Sequence, residues 1–172
     1  NLDRVEPLLR QAEKCGGDPQ RVQREIWLTW AQSGRLREAE PHLSELLMDS
    51  RDDGPEICAA YVQGYFANLQ TRQAIQLLDA WQRDYPDDPQ SYFMRGYLHQ
   101  ALAAWNEAAK AYRQGLRLAP DQMQMRARLA EVQRALCAAD LELDSVRRAF
   151  ATAKSEAKRK AKQRDAALVV LC

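Results

Sequence analysis

The sequence predicts an all-α protein: an α-solenoid of antiparallel helix pairs, closed by a C-terminal capping helix. Three observations carry this. Helix formers dominate, and the few β-branched residues never alternate over a useful length. Short breakers punctuate the chain about every dozen residues, at Gly16 to Pro19, Ser33-Gly34, Asp49 to Pro55, Tyr85 to Pro89 and Ala119 to Asp121. The breakers also repeat. "AIQLLDAWQRDYPD" (Ala74 to Asp87) and "AAKAYRQGLRLAPD" (Ala108 to Asp121) lie 34 residues apart and align Ala74 with Ala108, Leu78 with Tyr112, and Pro86 with Pro120.

In "PQSYFMRGYLHQALAAWNEAAKAYRQGLRLAPD", Tyr92, Gly96, Ala108, Tyr112, Leu116 and Pro120 fall on the pattern of a 34-residue helix–turn–helix. The segment resembles the tetratricopeptide repeat. Small residues at Gly96 and Ala108 let two helix backbones approach, and Tyr92 and Tyr112 fill the space on either side.

The same resemblance orders the chain. Residues 1–17 read as a partial repeat, the second helix of a pair. Residues 20–54 form a unit with Gly34, Leu36 and Ala39 well placed, but with Trp27 where a small residue is usual. Residues 55–88 form another, keeping Tyr65, Ala74, Leu78 and Pro86 but carrying Val62 at the small-residue position. Residues 89–122 are the best copy. Residues 123–152 read as a degenerate repeat or capping unit, with Leu129 and Ala130 well placed and Glu142 where Ala belongs. Residues 153–172 read as a basic helical tail. The resemblance implies that these pairs stack into a right-handed superhelix.

Composition narrows function by exclusion. Of the 172 residues 46% are hydrophobic and 28% charged, with a formal net charge of +1, so there is no global pull toward nucleic acid or membrane. The charge is uneven: residues 141–172 hold eight Lys/Arg against four Asp/Glu. Cys15, Cys58, Cys137 and Cys172 lie far apart without metal-like spacing, which favours isolated reduced thiols and a cytoplasmic setting. There is no signal-peptide pattern and no apolar run of about 18 residues. The chain begins with Asn1 and reads as a fragment, which leaves its compartment open.

No catalytic motif is present: no H-E-x-x-H, no phosphate loop, no dinucleotide fingerprint, no nucleophile elbow. "DSRDDG" places Asp49, Asp53 and Gly54 as a calcium loop would, but Arg51 and Ala60 occupy ligand positions, so it reads as a polar turn. His42 and His99 have no partner ligands. The reading is therefore non-enzymatic, with neither cofactor nor metal expected.

What the fold class offers is a surface. The resemblance assigns to the concave face Arg21, Arg24, Leu28 and Gln32; then Gln63 and Phe66; then Phe93, Tyr97 and Gln100; then Arg128, Glu131 and Arg134. Phe93 and Tyr97, four apart, make one stripe on their helix. Aromatic side chains flanked by amides and Arg suit a protein or peptide partner. Members of the family that hold a chaperone's C-terminal carboxylate use a Lys and an Asn four apart. Here those positions hold Arg24 and Leu28, Ala59 and Gln63, and Phe93 and Tyr97, so that clamp is not assembled.

Two other readings come from the ends. Lys158, Arg159, Lys160, Lys162 and Arg164 can neutralise nucleic-acid phosphates or an anionic lipid surface, against the plainer role of a solvated cap. The half repeat at Leu2 to Cys15 exposes an apolar face suited to homo-oligomer formation.

Overall fold

The computed structural model describes residues 5–49 and 53–170, without the side chains of Asp49 and of residues 161–170. Every described element is helical: α1 (Val5–Lys14), α2 (Pro19–Gln32), α3 (Leu36–Ala39), a 3-10 turn (Glu40–His42), α4 (Leu43–Asp49), α5 (Gly54–Ala67), α6 (Thr71–Asp84), α7 (Pro89–Ala101), α8 (Trp105–Leu118) and α9 (Met123–Val170). Successive helices pack as hairpins, α5 on α6 and α7 on α8. The leading helices of neighbouring hairpins also touch, α2 with α5 and α5 with α7. This is an α-solenoid.

The punctuation has a stereochemical basis. Asp18 and Asp88 each accept a hydrogen bond from the backbone N–H two residues on, Gln20 (3.1 Å) and Gln90 (2.9 Å), and a proline follows each cap at the first helical position. The leading helices end alike too. The N–H groups of Arg35, Gln70 and Ala104 reach back to the carbonyls of Trp30, Tyr65 and His99 at 2.8–2.9 Å. The residue before each of them is left-handed: Gly34, Leu69 and Ala103, with φ of 80°, 59° and 55°. This is one Schellman closure written three times, with glycine only in the first copy.

Packing inside the hairpins follows the sequence where small residues stand. A methyl group on Gly96 would sit 2.5 Å from the Tyr112 ring, so glycine there sets the α7–α8 spacing. Val62 leaves no such gap in the preceding hairpin. Close approach occurs instead at Gly64, where a side chain would collide with the Ala31 carbonyl of α2. In the first hairpin the bulk of Trp27 is accommodated by stacking on His42, ring centroids 4.0 Å apart and 7° from parallel. The second helix there is broken at the 3-10 turn that holds Pro41, a residue without an N–H for the helical ladder.

Two features stand out against the expectations. No break marks the boundary between the expected unit at residues 123–152 and the basic helical tail at 153–172: α9 runs unbroken through residues 152 and 153. The segment contains neither Gly nor Pro, so nothing ends the helix. Second, Tyr92 is only half-buried, its hydroxyl donating to the Pro86 carbonyl at 3.2 Å, while Phe93 joins the core. Residues 1–4, 50–52, 171 and 172, including Leu2 and Cys172, lie outside the described residues.

Candidate functional site

The leading helices α2, α5, α7 and the first turns of α9 enclose an open channel of about 490 Å³. Its apolar wall is Val62, Phe66, Phe93, Met94, Tyr97 and Leu98; its polar rim is Gln32, Gln63, Gln124 and Arg128. Phe66 and Tyr97 meet edge to face, centroids 5.4 Å apart at 61°. The Arg128 guanidinium lies 5.4 Å above the Tyr97 ring. It also donates to Glu131 (3.2 Å), which accepts from Gln100 Nε2 (3.3 Å); Gln100 Oε1 in turn accepts from the Tyr112 hydroxyl (2.9 Å). Burial pushes the Tyr112 phenol up to about 12, so it stays a protonated donor that anchors this chain.

The structure brings together Gln63, Phe66, Phe93, Tyr97 and Arg128, with Gln100 bonded behind them. It does not make Phe93 a free groove residue. At 9% exposure, that ring is tilted on Tyr112 (6.1 Å) and clustered with Met125 and Val132 of α9. Tyr97, one turn on, stays 38% exposed. The expected Phe93/Tyr97 stripe is therefore uneven, because α9 packs Met125 and Val132 with Phe93 but lays the Arg128 guanidinium over Tyr97.

Leu28 is corrected too: it is buried in the main core. Arg24 lies elsewhere, in a separate cleft of about 880 Å³ with Glu13, Asp18, Arg21, Glu45, Asp53 and Glu56. Its guanidinium pairs there with Asp53 at 2.6 Å.

The sequence did not single out Val62, Met94, Leu98 and Gln124 as channel residues. Gln124 carried a signal, since it precedes Arg128 by one helical turn. Val62 stood out only as a departure at a small-residue position, and Met94 and Leu98 carried no signal. In the tail, Lys158, Arg159 and Lys160 are exposed, whereas the side chains of Lys162 and Arg164 lie outside the described residues.

The described cysteines Cys15, Cys58 and Cys137 are free thiols. Burial pushes Cys58 up to about 11, keeping it protonated and unreactive. His99 is half-buried, and its imidazole is held below the usual range by that burial and by Arg95, with Glu107 opposing.

Residues 31–93 match the family model described as tetratricopeptide repeat. No curated protein matches the chain significantly. A solved structure, the first tetratricopeptide repeat domain of Spaghetti (RPAP3) bound to the HSP90 peptide SRMEEVD, superimposes with a TM-score of 0.57 at 22% identity. The superposition covers 70% of this chain and 96% of that one. The 34-residue hairpins, their shared closures and the match over residues 31–93 agree: the chain has the helical-repeat fold, and residues 31–93 are similar to the tetratricopeptide repeat family.

Proposed function

We propose that the chain is a non-catalytic adaptor whose concave channel holds an extended segment of a partner protein. The observation that carries this is the pairing of an open apolar slot, edged by Phe66 and Tyr97, with a cation, Arg128, at its rim. An extended peptide would seat one aliphatic or aromatic side chain against Phe66 and Tyr97 and bring a carboxylate to Arg128, while Gln63 and Gln124 take main-chain hydrogen bonds. Preformed walls lower the ordering cost of binding.

A chaperone-type carboxylate clamp is not part of this reading. Leu28 is apolar and buried, and Arg24 lies outside the channel in the separate cleft, so neither stands where such a ligand would need it.

The test is a displayed peptide library panned against the chain and against Tyr97→Ala and Arg128→Ala variants, with SRMEEVD as comparison ligand. Selected peptides are expected to share an apolar residue next to an acidic one. They should lose roughly tenfold or more in affinity on Tyr97→Ala, and amidating the C-terminus of SRMEEVD should leave whatever binding it shows unchanged. Peptides insensitive to both substitutions would place the binding surface elsewhere.

A further inference from the structure

From Cys137 to Lys160 every side chain of α9 is exposed, so this part of the helix projects beyond the body. Its pattern is not that of a plain solvated helix. Within the body, Met125, Leu129, Val132 and Leu136 recur at alternating spacings of four and three and pack with Phe93 and Tyr112. The same spacing continues outward through Ala139, Leu143, Val146, Phe150, Ala153 and Ala157. Along that row Leu143, Val146 and Phe150 are 49%, 63% and 71% exposed. Three large apolar side chains on one face in water need a cover.

Charge indicates what covers it. Residues 145–164 carry eight Lys/Arg and one carboxylate, Glu156. At about 100° per residue, Arg147, Lys154 and Lys158 flank one edge of the apolar row and Lys160 the other. The acidic residues Asp140, Glu142 and Asp144 all lie on the body side of this segment.

We propose that residues 143–160 of α9 form an amphipathic helix that lies on an anionic lipid bilayer. Leu143, Val146, Phe150, Ala153 and Ala157 dip into the headgroup boundary, and the flanking cations meet lipid phosphates. The acidic cluster marks where the helix lifts from the surface toward the solenoid.

The observations favour this occupant over two others. Nucleic acid uses the cations but leaves the Phe150 face in water. A second copy covers that face but sets one strongly cationic stretch against another, a self-repulsion that a lipid surface turns into attraction. The contact is peripheral: among the described residues no helix is long and apolar enough to cross a membrane.

The test is co-sedimentation of the full chain with phosphatidylcholine vesicles, with and without phosphatidylserine, over a salt series. Light scattering and a duplex-DNA binding assay run alongside. Binding is expected only with phosphatidylserine and should fall steeply with salt. It should drop about tenfold or more for Val146→Ser with Phe150→Ser, and similarly for Lys154→Glu with Lys158→Glu. Unchanged circular dichroism of these exposed-site variants would show that the helix persists. The proposal is overturned by equal binding to neutral vesicles or by none at all. It is equally overturned by DNA binding tighter than vesicle binding and indifferent to Phe150→Ser, or by a concentration-dependent dimer that Phe150→Ser dissolves without any vesicle binding.

Discussion

Phe66 on α5 and Tyr97 on α7 meet edge to face across neighbouring repeats, ring centroids 5.4 Å apart. The contact closes one wall of the channel and leaves the Tyr97 ring in reach of Arg128. Phe93, one turn earlier, also lines the channel but packs into the core. The two aromatics, four residues apart, therefore serve different ends, and substitution separates them. Phe93→Ala should cost about 3 kcal/mol by emptying a packed site, whereas Tyr97→Ala should cost under about 1.5 kcal/mol. Urea denaturation of the two variants measures both.

Gly96 sets a spacing that no larger residue fits. Gly96→Ala drives a methyl group against the Tyr112 ring and should destabilise the chain by about 2 kcal/mol, well beyond an ordinary helix substitution. Combining Gly96→Ala with Tyr112→Leu should recover part of that loss. Two unrelated costs that simply add would show that the ring and the glycine are not coupled.

The repeated Schellman closure predicts a gain. Leu69 and Ala103 hold left-handed backbone without being glycine, a conformation that costs an L-residue about 1 kcal/mol. Ala103→Gly should raise stability by a few tenths to about 1 kcal/mol and Leu69→Gly likewise, both read as a higher melting temperature. No gain at either site would mean that the strain is already relieved by the turn's hydrogen bonds.

Acid should loosen the amino-terminal end. The Glu6 carboxylate on α1 accepts from Trp30 Nε1 (3.0 Å), Arg10 (3.0 Å) and Arg35 (3.1 Å), and these bonds, that of Trp30 first, hold it below the usual carboxylate range. A depressed acid contributes its stability above its unfolded value and loses it as pH falls through the folded one. His99 acts earlier on the same descent. Its folded value is lowered, so below the ordinary imidazole range the unfolded chain takes up the proton first and stability begins to fall. Melting temperatures measured from about pH 7 down to about pH 3 should show both phases. Glu6→Gln should remove the lower phase, and the non-titrating replacement His99→Phe should remove the upper.

Much of the architecture was legible along the chain. Asp18-Pro19 and Asp88-Pro89 start helices by local chemistry alone, and the 34-residue return of Ala, an apolar or aromatic residue, and Pro announces hairpins. These signals are short-range, so they survive without knowledge of neighbours. The channel was legible only in outline. A position facing the concave side can be read from the period, but its exposure depends on the helix stacked next to it: α9 buries Phe93, the main core buries Leu28, and Asp53 draws Arg24 into another cleft.

The sequence by itself determined the helix content, the hairpin period, the turn positions and the concentration of positive charge near the C-terminus, because each follows from propensity, caps and spacing. Tertiary structure alone decided three things. It placed the close approach at Gly64, where α5 presses on α2. It chose Tyr97 over Phe93 as the open aromatic, because α9 covers the latter. It decided how much of α9 is covered: the apolar row runs past the body that buries its beginning, since burial depends on where neighbouring helices stop.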